Sequence, residues 1–264
     1  KKAALAVAIT SIALTGCLDS GSSSSDKKDD IVQQVSISGM AVKGLLSNAT
    51  VTAYTMNDVK LVETTTGTDG TYTLPQTNHQ GAVLIKLTTN ANTRTVCDAA
   101  PGCGTKDGVA VGFGDDYAFN DPEFILTSVL PSPARSANQK LMVTPLTHLA
   151  AQRVVKQGLT SPSEIQGTVN ATAKLLGLVG VDINTLAPVD ITNPQAVKTA
   201  TNEAKLYGAL VGAIATMAEE DTNASVADVI KNITDDFSND GGLKANSTTQ
   251  GTISLNSIFK KAGE

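Results

Sequence analysis

The chain has no tryptophan and few cysteines or histidines, and each shortage excludes a class of protein. Its 264 residues include three cysteines, two histidines, four tyrosines and five phenylalanines. Three cysteines are too few for a small scaffold stabilised mainly by disulfides, and two histidines exclude most histidine-built zinc sites. Twenty Lys and Arg against 25 Asp and Glu give a formal net charge of −5. This balance argues against a nucleic-acid-binding protein, which needs a basic face.

The remaining composition is that of a folded protein. Apolar residues make up 41% of the chain and charged residues 17%. This apolar share excludes wholesale disorder, and the length allows one large domain or two small ones.

The N-terminus has the pattern of a secretory signal. Lys1 and Lys2 precede an apolar run over residues 3–14, and Leu14-Thr15-Gly16-Cys17 ends it. About twelve apolar residues are too few to span a bilayer, and small residues mark a cleavage point. An ordinary cleaved signal or a buried hydrophobic helix remains an alternative.

The Leu-Thr-Gly-Cys sequence resembles the lipobox of bacterial lipoproteins. That resemblance implies cleavage of residues 1–16, a diacylglyceryl group on the Cys17 thiol and acylation of the new N-terminus. Leu18 stands where enterobacterial relatives use Asp for inner-membrane retention, so the resemblance also implies the outer membrane or cell surface. Residues 17–34, rich in Ser, Asp, Gly and Lys, are predicted to be a flexible tether.

From Val35 onward, apolar and polar residues alternate with the period of a β-strand. Runs of this kind cover residues 35–42, 49–54, 60–66, 71–74, 82–87, 123–130 and 140–143. Asp69-Gly70 marks a turn that we expect to close a hairpin. Short strands at regular spacing predict a small antiparallel sandwich.

The segments ISGMAVKGLLSNATVTAY, TTTGTDGTYTL and GAVLIKL carry a resemblance over about residues 35–90. They resemble the carboxypeptidase-regulatory-like β-sandwich family, which is transthyretin-like or Cna B-like. The resemblance implies a structural or interaction module without catalysis of its own. A related type of sandwich forms an isopeptide bond from a lysine, so Lys43 allows that alternative. An exposed strand end is the simpler interpretation of Lys43.

Two cysteines remain if Cys17 is lipidated. Cys97 and Cys103 flank a short loop containing Pro101-Gly102. In an oxidising compartment we expect these two to form a disulfide that fixes a surface loop.

Two groups of acidic residues allow weaker hypotheses. Asp115, Asp116 and Asp121 lie beside aromatic residues, where they could bind calcium or supply the carboxylates of a glycan-processing enzyme. A solvated loop is the simpler interpretation.

Asp236, Ser238 and Asp240 have the spacing of the first, third and fifth positions of a calcium loop, so calcium is a candidate cofactor. Ser247 occupies the twelfth position, where such loops carry Glu. The end of a helix explains the same residues without an ion.

The two histidines do not form a catalytic group. His79 lies in a polar loop without an evident partner, and His148 lies at the start of a predicted helix. We interpret His148 as a packing or capping residue.

The C-terminal half has helical periodicity from Thr144. Predicted helices cover residues 144–158, 161–177, 225–234 and 254–261, and one long helix begins at Asn193-Pro194 and includes the apolar residues 206–218. VTPLTHLA, LLGLVGVDI and the following segment resemble the helical region after such sandwiches in large bacterial surface proteins.

The sequence therefore predicts an α+β protein with a sandwich at 35–143 and a helical bundle at 144–264. We expect a non-enzymatic envelope lipoprotein with a structural or binding role, adhesin-like or part of a matrix or filament. Its expected partners are the membrane through the lipid, surface proteins, other copies of itself, or glycans, and no nucleic acid. A calcium-dependent binding module, or an accessory subunit of a glycan-processing enzyme, is the alternative.

Overall fold

A computed structural model describes residues 35–133, 138–221, 224–243 and 254–264. It confirms the α+β fold class, because strands occupy the N-terminal part of this range and helices the C-terminal part. The expected signal peptide, the tether and Cys17 lie outside the described residues.

The described strands form two main sheets and two short ribbons. Their bounds are β1 (Ser36–Met40), β2 (Thr50–Thr55), β3 (Lys60–Thr65), β4 (Thr71–Thr73), β5 (Val83–Thr88), β6 (Arg94–Val96), β7 (Thr105–Lys106), β8 (Val109–Ala110), β9 (Asp116–Ala118), β10 (Ile125–Leu130) and β11 (Asn138–Lys140). The sheet orders are β11-β1-β4 and β10-β5-β2-β3, and the ribbons are β6-β9 and β7-β8. All pairs are antiparallel except β1 with β11, which is parallel.

The two main sheets are joined at the Asp69-Gly70 turn. Asp69 accepts hydrogen bonds from the backbone and the hydroxyl of Thr71, and Gly70 has a φ of +74°. The turn connects β3 to β4, which lie in different sheets. The expected hairpin is therefore wrong: the chain turns from one sheet into the other. Tyr72 and Leu74 then both point into the core.

The described residues contain six helices, and local capping interactions set the ends of the first. Their bounds are α1 (Pro145–Gln157), α2 (Pro162–Leu175), α3 (Pro194–Thr199), α4 (Asn202–Glu220), α5 (Val226–Asp240) and α6 (Leu255–Ala262). Thr144 and Thr147 form a capping box at the start of α1, and Gly158 ends it in the left-handed conformation.

The single long helix expected from Asn193 is wrong, because the chain breaks between α3 and α4. Ala200 has extended backbone angles, and the Thr201 hydroxyl accepts a hydrogen bond from the backbone of Ala204. Thr201 therefore begins a new helix. The apolar part of this segment forms α4, which is buried along most of its length.

Strands and helices share one hydrophobic cluster. The described residues form one compact unit, in which α1 packs on β10. The fully buried Tyr207 of α4 donates a hydrogen bond to the Ile183 carbonyl, and its hydroxyl lies 2.8 Å from that of Thr144. Strands give way to helices at Thr144, where the sequence placed a boundary. The division into two domains stays a prediction.

Over the ranges that the structure describes, no helix is both long and apolar enough to cross a membrane.

Candidate functional site

The disulfide between Cys97 and Cys103 is buried, although the tip of its loop is exposed. Cys97 and Cys103 are joined by a disulfide with their Cα atoms 5.8 Å apart, and both residues are fully buried. Their backbone N–H groups donate hydrogen bonds to the carbonyls of Asp115 and Val111, 2.8 Å away. The pairing agrees with the expectation from the sequence. The tip of the loop lies at the surface as expected, because Ala100 and Pro101 are exposed, whereas neighbouring segments and α4 cover the disulfide itself.

Close contact with α4 fixes this loop. The backbone N–H of Ala100 donates a hydrogen bond to the Thr216 hydroxyl at 3.0 Å. A Cβ atom on Gly212 would lie 3.0 Å from the Asp98 carbonyl oxygen and 2.4 Å from the Ile191 side chain. A side chain at residue 212 would therefore push the helix and the loop apart.

The fixed loop directs the Asp98 carboxylate at a buried lysine. The Lys43 Nζ atom lies 3.2 Å from Asp98 Oδ1, and the two side chains are 2% and 4% exposed. Asp98 Oδ2 accepts a hydrogen bond of 2.6 Å from the backbone N–H of Gly44. No hydrogen bond of normal geometry reaches Oδ1 from the described residues, so its contact with Lys43 is one of charge. The exposed strand end expected for Lys43 is wrong.

Glycine is required directly after Lys43. Gly44 has a φ of +58°, and a Cβ atom there would lie 2.0 Å from the Val96 carbonyl oxygen. The two backbone segments can therefore approach closely enough for Asp98 to reach the Gly44 N–H.

The surroundings keep Lys43 charged. Burial alone lowers the pKa of a lysine, but Asp98 and, to a smaller extent, Tyr117 outweigh that effect and raise the pKa of Lys43 above 10.5. The Lys43 ammonium also lies 5.5 Å from the centre of the Phe119 ring, within the range of a cation–π contact. At 3.2 Å, Lys43 and Asp98 form an ion pair, and the isopeptide alternative stays a prediction.

A cavity of about 420 Å³ opens above the ion pair. It lies between β9 with the loop that follows it, the end of α4 and the start of α5. Its lining includes the side chains of Lys43, Lys106, Tyr117, Phe119, Asp121 and Glu219. The Tyr117 and Phe119 rings meet edge to face, and Lys106 Nζ lies 5.7 Å from the centre of the Tyr117 ring. Burial raises the pKa of Tyr117, so its hydroxyl stays protonated. The cavity thus offers aromatic surface beside charges of both signs.

The structure gives the first acidic group separate contacts. Asp115 accepts a hydrogen bond from the Gly112 N–H, Asp116 pairs with Arg94, and Asp121 accepts one from the Glu123 N–H. Of the three, Asp121 lines the cavity. Within the described residues, no three Asp, Glu, His or Cys side chains are grouped to hold a metal ion.

The second acidic group lies on a helix. Asp236, Ser238 and Asp240 all belong to α5, where residues two apart point in nearly opposite directions. Ser238 is buried, and Asp240 accepts a hydrogen bond from the Gly242 N–H. These residues therefore do not have the loop geometry that their spacing suggested. Calcium binding stays a prediction.

The histidines differ in environment. The His79 ring lies 3.3 Å from the Ala82 carbonyl oxygen, so His79 has a partner that the sequence did not indicate. His148 is 7% exposed, and its Nδ1 accepts a hydrogen bond from the Thr127 N–H. Burial lowers the pKa of His148 to about 4.

Sequence reasoning missed Asp98, Tyr117, Phe119 and Glu219 as members of one site. The available signal was local: Asp98 directly follows Cys97, and Gly44 directly follows Lys43. Neither feature indicates that the two segments meet.

Comparison with protein-family models, curated proteins and solved structures finds no match to this chain. The family resemblance therefore stays a prediction.

Replacing Lys43 should leave a buried, unpaired carboxylate. We expect Lys43→Met to lower the free energy of unfolding in urea by about 3–5 kcal/mol. Adding Asp98→Asn should recover most of that loss, because the uncompensated charge is removed. Lys60→Met, which breaks the exposed Lys60–Glu63 pair, is the control and should lower the free energy of unfolding far less, because solvent screens exposed ion pairs. An equal effect of Lys43→Met and Lys60→Met would contradict the proposed role of the pair.

His148 should make the protein less stable in mild acid. Below pH 6.5 the unfolded chain binds a proton at this residue, whereas the native imidazole stays neutral down to about pH 4. Between pH 7 and pH 4, the free energy of unfolding of the wild type should therefore fall by about 3 kcal/mol more than that of His148→Asn. His79→Asn should retain the wild-type decline. If the free energy of unfolding of His148→Asn fell as steeply with pH as that of the wild type, this assignment would be wrong.

Proposed function

We propose that the chain is a lipid-anchored protein of a bacterial cell envelope, at the outer membrane or cell surface, with a structural or binding role. The proposal rests on the order of three features at the N-terminus: two lysines, an apolar run and the sequence Leu14-Thr15-Gly16-Cys17. The Cys97–Cys103 disulfide supports it independently, because such bonds persist in oxidising compartments outside the cytosol.

The cavity above Lys43 supports a binding role. Phe119 offers apolar ring surface, while Lys106, Asp121 and Glu219 offer charged hydrogen-bonding groups around the same space. The lining surface of the cavity is more polar than apolar, so it suits a polar ligand that forms hydrogen bonds with these groups. Tyr117 and Lys43 are held in place from below by Asp98 and the disulfide loop, so the surface is preorganised.

A filament or matrix role through strand pairing has weaker support. The β3 strand is one edge of the four-stranded sheet and carries the exposed Lys60–Glu63 ion pair, while the other edge strand, β10, packs against α1. The pairing of β2 with β3 shifts register between Ala53 and Tyr54. Charged side chains and bulges are features that protect sheet edges from pairing with another chain. We therefore favour the cavity over the β3 edge as the binding surface.

Metabolic labelling with palmitate tests the anchor. In cells that express the full chain, we expect the protein to carry label and to fractionate with membranes, and Cys17→Ala to lose both properties. Cys17 is the residue whose thiol the lipid would modify.

The matched control replaces both other cysteines. Cys97→Ser with Cys103→Ser should retain label per molecule of protein, although we expect it to be less stable by about 2 kcal/mol. Label that persists in Cys17→Ala, or that is absent from the wild type, would overturn the proposal.

A further inference from the structure

The strand β1 leads from the N-terminal end of the described chain to the cavity above Lys43. Residues 1–34, which include the proposed anchor, join the described residues at Val35, directly before β1. The stretch from Val35 to Ala41 is extended and spans roughly 20 Å. Lys43 follows it and lines the cavity. Tension between the N-terminus and a ligand in the cavity therefore acts along β1.

Backbone hydrogen bonds hold β1 on both sides. It is the central strand of its sheet, with the parallel strand β11 on one side and the antiparallel strand β4 on the other. Bridges from Val35 to Thr77 and from Ala41 to Val143 extend the pairing beyond both ends of β1. The hydrogen bonds of a sheet run across its strands, so a pull along β1 loads many of them at once.

A side-chain hydrogen bond also crosses β1. The Tyr72 hydroxyl, on β4, donates a hydrogen bond of 2.5 Å to the carbonyl of Leu141, which directly follows β11. Tyr72 pairs with Gly39 of β1. A Cβ atom on Gly39 would lie 1.9 Å from the Leu141 carbonyl oxygen and 3.0 Å from the Tyr72 ring. This bond, which we call the clasp, therefore passes over Gly39 and joins the two neighbours of β1 to each other.

The clasp is shielded from water. Tyr72 is 3% exposed and Leu141 is fully buried. Burial raises the pKa of Tyr72, so its hydroxyl keeps the proton that it donates. A hydrogen bond in such surroundings is stronger than one in water, because no solvent competes for either partner. The clasp therefore opposes any movement of β1 that would separate β4 from the segment after β11.

We propose that β1 is a load-bearing strand, which carries tension between the lipid anchor and a ligand in the cavity, and that the clasp stops it from sliding. This inference rests on the proposed envelope function. Its test uses purified protein without lipid, whereas palmitate labelling does not measure resistance to force. Failure of one experiment is therefore distinguishable from failure of the other.

The C-terminal end of the chain provides a contrasting direction of pull. The helix α6 has eight residues, and Ile258 is its fully buried side chain. Lys261 pairs with Glu220 of α4 at the surface. A pull on Glu264 loads α6 at its end, so its contacts break one after another. We expect this direction to meet little resistance and to leave β1 unloaded at first.

Unfolding at constant force in optical tweezers tests the proposal. Handles are attached to the purified full chain at residues 34 and 109, or at residues 109 and 264, through azide side chains that leave the native disulfide intact. Val109 is a suitable common point, because it is 67% exposed and lies in the ribbon after the disulfide loop. At the same force, we expect the first unfolding step to be about tenfold slower for 34/109 than for 109/264.

Two tyrosine variants separate resistance to force from general stability. Tyr72→Phe removes the hydroxyl of the clasp, so unfolding in the 34/109 geometry should become about fivefold faster. The first step in the 109/264 geometry should keep its rate. Tyr207→Phe removes a buried hydroxyl that bonds to Ile183 rather than to β1, and should leave the 34/109 rate unchanged.

The proposal is overturned if the wild type unfolds equally fast in the two geometries. It is also overturned if Tyr72→Phe accelerates unfolding in both geometries or in neither, because a purely stabilising hydrogen bond has no preferred direction.

Discussion

The ion pair between Lys43 and Asp98 is the constraint on which the arrangement of the strands and helices depends. Two opposite charges removed from water are tolerated when they remain close together, and these two lie 3.2 Å apart. Lys43 follows β1, whereas Asp98 belongs to the disulfide loop that contacts α4. Keeping the charges together therefore holds the first strand, the loop and the longest described helix in one arrangement, and Gly44 and Gly212 provide the necessary close approaches.

The same constraint shapes the candidate binding surface. Because Lys43 is held by Asp98, its ammonium stays under the Phe119 ring and near Tyr117, at the buried end of the cavity. The cavity depends on groups from β9, α4 and α5 as well. A change in how the helices pack on the strands would alter the cavity and the ion pair together. This coupling is the physical link between the fold and the proposed binding role.

The sequence predicted best what local chemistry decides. Thr144, Pro145 and Gly158 mark the ends of α1, because a cap, a proline and a left-handed glycine act within one turn. The break at Ala200 was missed, because Thr201 is one polar residue within a segment whose helical pattern continues. The position of Lys43 was missed for a different reason. Its partner lies 55 positions later, and no local pattern specifies such a pair.

Native-state hydrogen exchange of the Gly44 amide tests the central claim most directly. This N–H donates to Asp98 Oδ2 at 2.6 Å, within the structure that the ion pair is proposed to hold together. If the pair holds the strands, loop and α4 in place, Gly44 should exchange as slowly as Ile85 in the centre of β5, by unfolding of the whole compact unit. Exchange of Gly44 at the rate of an exposed loop, while Ile85 stays protected, would contradict the account.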